Sequence, residues 1–303
     1  MRALGPVVLT LTIAGAATQA DRVLAGPVVR SIALSTGVTL EYTEQGDPNG
    51  VPVVLLHGYT DSRRSWDLVL PHLPSRFRVF AISQRGHGMS SRPATGYLAA
   101  DLSNDVRAFL DAQNIDRAVL VGHSMGSMVA QRFAIDHPGR LSGMLLTGAF
   151  YARRNNPLLV DFYNQAVAPL PEPVSPEFIR DFQRSTTTDT LPSEFFATVL
   201  GESARLPAWL WKDYARGFLI TDFTAEIGRI QTPTLLLWGD RDGFALRADQ
   251  DSLLARIPGS RLTTYEGIGH AANWERPERF AADLTSFVDG LSAVQLGGDL
   301  ARR

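Results

Sequence analysis

Gly122-His123-Ser124-Met125-Gly126 directly follows the apolar run Ala118 to Val121 and directly precedes a stretch of helical pattern. A serine at the apex of a strained strand-to-helix turn has its hydroxyl pushed into the open, with backbone N–H groups of the helix start beside it. That is the setting for a nucleophile whose developing oxyanion needs fixed donors. The same pattern also suits a plain serine N-cap, so the decision rests on the partners. A serine hydroxyl attacks only when a base takes its proton.

Six histidines are available, and position separates them. His123 lies inside the turn and is expected to point away from Ser124. His57 and His87 precede Gly58 and Gly88 in loops, and His72 and His137 sit beside prolines. His270 ends Gly267-Ile268-Gly269-His270, after the last apolar run and before a closing helix. This puts it at the carboxyl edge of the sheet, on the side of Ser124. An acid that orients such a histidine is sought after the run Thr234 to Trp238, where Gly239-Asp240-Arg241-Asp242-Gly243 offers Asp242, with Asp240 as a turn cap. The expected oxyanion donors are the backbone N–H groups of Met125 and of Tyr59, the latter in His57-Gly58-Tyr59-Thr60-Asp61.

Composition narrows the chemistry from the other side. The 303 residues contain no cysteine, which removes thiol nucleophiles, thiolate metal sites and disulfides. Lys212 is the only lysine, and it sits in no glycine-rich loop, which argues against Schiff-base and Walker-type chemistry. A net charge of −2 gives no electrostatic footprint for nucleic acid. No metal or other cofactor is implied.

The elements that must hold these residues can be read from periodicity. Val28 to Leu34 and Val38 to Thr43 read as a hairpin about Ser35-Thr36-Gly37, and Asp47-Pro48-Asn49-Gly50 as a turn. Short apolar runs recur at Val51 to Leu56, Phe77 to Ile82, Ala118 to Val121, Met144 to Leu146, Thr234 to Trp238 and Leu262 to Tyr265. Helical patterns cover Asp101 to Gln113, Met125 to Asp136, Arg247 to Arg256 and Pro277 to Leu291. Such alternation predicts an α/β fold with a mostly parallel, doubly wound sheet. From 151 to 227 the strand runs stop, and proline-punctuated helical segments rich in aromatics take over. This predicts a helical lid, with the core formed by 21–150 and 228–303. The aromatics either pack the lid's own core or line a substrate pocket; Phe150, Phe162, Phe196, Trp209, Trp211 and Tyr214 are the pocket candidates.

Together these motifs resemble the α/β-hydrolase superfamily from about Val28 to Leu291. The resemblance is carried by His57-Gly58-Tyr59, Arg85-Gly86-His87-Gly88-Met89-Ser90, Gly122-His123-Ser124-Met125-Gly126 and Gly269-His270 running into Glu275-Arg276-Pro277-Glu278. Two departures stand out: Ser83 replaces a frequent aspartate before the second motif, and Ser127 replaces a second glycine after the elbow. The resemblance implies a Ser124–His270–Asp242 triad and a carboxylic ester or lactone as small-molecule substrate. The alternatives it implies are a cofactor-free haloperoxidase or perhydrolase, a C–C bond hydrolase, and a triad-retaining ligand receptor. Ser124 argues against relatives that use aspartate at the elbow.

Arg2 and the uncharged run from Ala3 to Ala20 are too short and too broken for a stable membrane span and read as an export signal over 1–20, implying a periplasmic or secreted protein. Mass spectrometry of the mature protein is expected to find an amino terminus near Asp21; an intact Met1 in the soluble cell fraction would sink the leader.

Overall fold

The structure, a computed structural model, describes residues 27–154 and 156–300. The expected leader lies outside them. Eight strands form one sheet in the order β1-β2-β4-β3-β5-β6-β7-β8. They are β1 (Val28–Ala33), β2 (Thr39–Gly46), β3 (Val51–Leu56), β4 (Phe77–Ile82), β5 (Ala118–His123), β6 (Leu141–Thr147), β7 (Thr234–Gly239) and β8 (Arg261–Tyr265). The hairpin β1–β2 joins β4 antiparallel, and every other pairing is parallel. Parallel strands require crossover helices, and these cover both faces. Hence the interior strands are apolar on both sides: on β5, Leu120 joins one buried cluster while Val119 and Val121 join the other.

Helices α1 (Ala99–Ala112) and α2 (Met125–Asp136) cover the first face with Phe109 and Phe133, both fully buried. Four helices interrupt the alternation between β6 and β7: α3 (Pro157–Phe162), α4 (Pro176–Ser185), α5 (Ser193–Ala204) and α6 (Ala208–Ile220). This is the lid-like insertion. Prolines stand at or next to the start of all four, where the missing N–H costs nothing. Beyond β7 come α7 (Arg247–Arg256), α8 (Ala272–Glu275) and α9 (Pro277–Leu300). Helix α9 packs Phe280 and Leu284 on the second face. No described helix is long and apolar enough to cross a membrane.

The loops at the carboxyl edge are pinned by buried polar contacts. Arg85 grips Asp105 of α1 through two bonds of 2.6 and 2.7 Å and donates a third to the Gly96 carbonyl. His57 Nδ1 donates to the Gly58 carbonyl, while its Nε2 accepts from the Gln84 N–H at 3.0 Å. Ser83 donates to Glu41 of β2 at 3.0 Å, which ties the loop after β4 to that strand.

Strand β5 and helix α2 approach so closely that a Cβ on Gly122 would lie 2.4 Å from the Gly126 carbonyl oxygen. Gly201 of α5 has open space at the same position. Gly122→Ala is expected to destabilise by about 1–3 kcal/mol, and Gly201→Ala to stabilise by up to about 1 kcal/mol. Urea midpoints of the two variants check this; equal shifts would contradict the packing described.

Candidate active site

Ser124 caps α2 with φ 51° and ψ −112°, a left-handed conformation that a serine adopts only under constraint. Its N–H donates to the Thr147 carbonyl at 2.9 Å, and its carbonyl accepts from the Ser127 hydroxyl at 2.6 Å. Ser127, the departure noted above, therefore braces the turn. Gly126 admits the Leu56 carbonyl, which a Cβ would meet at 2.2 Å.

Asp242 and His270 are brought together from the loops after β7 and β8. His270 Nδ1 lies 2.8 and 3.0 Å from the two carboxylate oxygens of Asp242. Asp242 Oδ1 also accepts from the N–H groups of Phe244 and Ala245, which fixes the carboxylate. With Nδ1–H donating to an acid, Nε2 carries the free lone pair that a base needs. Asp240 accepts from the Gly267 N–H at 2.7 Å, the turn-holding role expected of it. The histidine loop is clamped to the lid: the N–H groups of His270 and Ala271 both donate to the Thr186 carbonyl. Glu275 reinforces the clamp, accepting from Gly269 with one oxygen and from Thr188 and Asp189 with the other.

Of the expected oxyanion donors, the Met125 N–H belongs to the first residue of α2, where no partner exists within the helix, and the Tyr59 N–H to the loop after β3. The Tyr59 hydroxyl donates to the Trp211 carbonyl at 2.6 Å, tying this loop to α6. Next to it Thr60 has φ 66°, a strained value for a β-branched residue. Gln183 of α4, 1% exposed, holds that turn, its amide nitrogen sharing two protons among Thr60 Oγ1, Asp61 Oδ1 and Ser203 Oγ at 2.8–3.1 Å.

Ser124 and His270 share the wall of a cavity of about 240 Å³ that is mainly apolar. Of the six pocket candidates Phe150 and Phe162 line it, joined by Phe182, Phe218 and Phe244. The other four pocket candidates face elsewhere. Phe196 packs with Phe195 and Trp274 in a separate cluster, and Trp209 lies 40% exposed against Tyr97. Trp211 is buried behind Tyr59 and Phe182, and Tyr214 donates to the Arg85 carbonyl. On α6 it is Ala215 and Phe218, one turn apart, that meet the cavity. His123 also lines the cavity, its Nε2 3.2 Å from the His270 carbonyl oxygen. Asp61, the last residue of the His57-Gly58-Tyr59-Thr60-Asp61 segment, also reaches the wall, as do Arg153 and Gln183, which no motif marked.

Residues 51–277 match the family described as alpha/beta hydrolase fold, and the chain belongs to that family. It is an enzyme of the hydrolase-fold class acting on small molecules. Over 282 residues it is 29% identical to a non-heme chloroperoxidase from Streptomyces lividans, covering 85% of this chain and 99% of the relative. A hydrolase from Pseudomonas aeruginosa superposes with a TM-score of 0.76 at 26% identity, over 86% of this chain and 98% of its own. An N-acyl homoserine lactone degrading enzyme, Est816, superposes with a TM-score of 0.71 at 27% identity, over 85% and 100%.

Burial makes the loops at this site acid-sensitive. Desolvation pushes His57 down to about 4 and holds His87 and His123 well below the usual range. Desolvation also pushes the Asp61 carboxyl up to about 7. Between about pH 6.5 and 4 the unfolded chain therefore binds up to roughly three more protons on the histidines and one fewer on Asp61, a net uptake on unfolding. Stability contributed by these groups is expected to fall as pH drops through that window. Urea titrations from pH 7 to 4.5 check the sign; a midpoint that holds or rises on acidification would contradict it.

Proposed function

We propose that the chain is a serine acyl-transfer enzyme of the cofactor-free perhydrolase and haloperoxidase kind, which also hydrolyses carboxylic esters or lactones. The observation that carries this reading is the shared cavity wall, in which Ser124 stands with a histidine already bonded to a carboxylate. Ser124 Oγ attacks the acyl carbonyl as His270 Nε2 takes its proton, and Asp242 stabilises the imidazolium that results. The Tyr59 and Met125 amides receive the oxyanion, a role in which one donor is worth about 10²–10³ in rate. The tetrahedral intermediate collapses, His270 returns the proton to the leaving oxygen, and the acyl group remains on Ser124.

The second half-reaction decides the product. Water on the acyl-serine gives the carboxylic acid. Hydrogen peroxide attacks through one oxygen, loses a proton to His270 and leaves as the peracid, with that proton returned to Ser124 Oγ. A peracid then oxidises halide in solution: peracid, halide and a proton give carboxylic acid and hypohalous acid. The name of the chloroperoxidase relative, which this chain matches over nearly its whole length, supports peroxide as the acceptor. The lactone-degrading neighbour supports cyclic esters among the acyl donors. The apolar wall of Phe150, Phe162, Phe182 and Phe218 supports a small or medium-sized apolar acyl group.

Phenyl acetate hydrolysis with and without hydrogen peroxide tests the reading, with peracetic acid measured through bromide-dependent halogenation. Peracid is expected to form from the wild type, and Ser124→Ala is expected to lose both reactions by about 10⁴-fold or more. A fluorophosphonate should label the wild type and not the variant. Unchanged turnover in Ser124→Ala would remove the nucleophile assignment; hydrolysis without peracid would leave a plain esterase.

A further inference from the structure

Arg153 has no place in the mechanism above, yet it lines the cavity that holds Ser124 and His270. It is 8% exposed, close to the 7% of Arg85, so burial alone does not separate the two arginines. Asp105 and the Gly96 carbonyl meet Arg85 through three hydrogen bonds. Arg153 makes one, from Nη2 to the Phe244 carbonyl, and Asp249 stands off from the same nitrogen at 3.5 Å. Asp249 is itself drawn to the start of α7, where its Oδ2 accepts from the Leu246 N–H at 2.8 Å.

Nε and Nη1 of Arg153 are left without a partner among the described residues. Neither is among the fully enclosed polar atoms that lack a partner, so both reach open space. The open space that Arg153 borders is the cavity. Phe150 fixes the guanidinium there, its ring centre 3.9 Å from the central carbon. Phe244 ties it to the chemistry: its carbonyl holds Nη2, and its ring centre lies 5.0 Å from that of His270. Cation and base therefore flank a single residue.

We infer that Arg153 binds a carboxylate at the far end of the acyl chain, so that the cavity selects half-esters of dicarboxylic acids. A guanidinium only donates, and it keeps its charge throughout the ordinary pH range. The ligand is therefore an acceptor, and a charged acceptor forms the shorter and stronger bonds with it. The protein supplies too little of that counter-charge itself. Desolvation at Arg153 outweighs the pull of Asp249 and Asp242, whereas at Arg85 the bonded Asp105 outweighs desolvation. Asp61, the carboxyl on the cavity wall, accepts from Gln183 and makes no bond to Arg153. Phe150, Phe162 and Phe218 offer an apolar wall for the methylene chain between ester and carboxylate.

That the carboxylate lies on the acyl side rests on the acyl-transfer reading, whereas binding at Arg153 is measured without turnover. Calorimetry on the full-length Ser124→Ala protein at neutral pH uses monomethyl succinate, glutarate and adipate. Each is compared with its terminal primary amide and with the unsubstituted methyl ester of the same chain length. At least one half-ester is expected to bind about tenfold or more tightly than both controls. Arg153→Met, in the same Ser124→Ala background, is expected to bring that ratio within about threefold. Equal affinity for half-ester and methyl ester overturns the site and indicates an arginine satisfied by water. Equal affinity for half-ester and amide overturns the selection of a carboxylate, and a ratio that survives Arg153→Met overturns the assignment to Arg153. The comparisons among ligands need no change at Arg153, so they decide the matter even where that variant fails to fold. Ester hydrolysis persisting in Ser124→Ala would instead overturn the nucleophile assignment, and the affinity ratio would still be read with the matching methyl ketones.

Discussion

The left-handed turn at Ser124 is the constraint on which the rest of the site depends. A non-glycine residue in that conformation costs on the order of 1–3 kcal/mol and persists only where its surroundings leave no alternative. Here Gly122 lets the strand touch the helix, Gly126 lets the helix touch β3, and Thr147 and Ser127 bond the serine's own backbone from two sides. The parallel order of β3, β5 and β6 makes this closeness available, because it brings three strand ends to one edge. Gly148 extends the same logic to the base. It has φ 56°, and a side chain on it would meet the His270 ring at 2.7 Å.

The lid contributes more than a cover. The Thr186 carbonyl holds two N–H groups of the His270 loop, Gln183 holds the strained Thr60 turn, and Trp211 receives the Tyr59 hydroxyl. The His270 loop and the Tyr59 loop are thus both fastened to the insertion. Partly satisfied buried polar groups are costly, so these bonds favour one arrangement of lid and core over others. A lid that moves as a whole carries both loops with it.

Much of this was legible in the sequence because the residues concerned stand next to strand ends. Apolar runs located the strands, and Ser124, Asp242 and His270 follow β5, β7 and β8 by at most a few residues. The sheet does the rest by collecting those ends on one edge. The cavity wall was harder to read, since a helix shows its composition in the sequence but not its rotation. Trp211 and Tyr214 have the chemistry of pocket residues, yet Ala215 and Phe218 hold the facing positions. Asp61 and His123 were passed over for a related reason. Each reads as an ordinary turn residue until the fold places β3 beside β5, and only then do the two side chains face one another.

That neighbouring histidine bears on how His270 can work. A base that must become cationic is weakened by a second positive charge nearby, and the rings of His123 and His270 are 5.2 Å apart. The two are treated differently by their surroundings. His270 has a carboxylate at 2.8 Å that is itself fixed by backbone N–H groups, whereas the carboxyl nearest His123 stands 3.9 Å away and is pushed toward its neutral form by burial. His57, bonded to the Gly58 carbonyl and the Gln84 N–H, is likewise kept from charging by desolvation. Burial keeps His57 and His123 uncharged, whereas His270, the base in the proposed mechanism, is the histidine that a fixed carboxylate meets. The asymmetry lies in where Asp242 and Asp61 end up, and both positions follow from which loop each occupies at the carboxyl edge of the sheet.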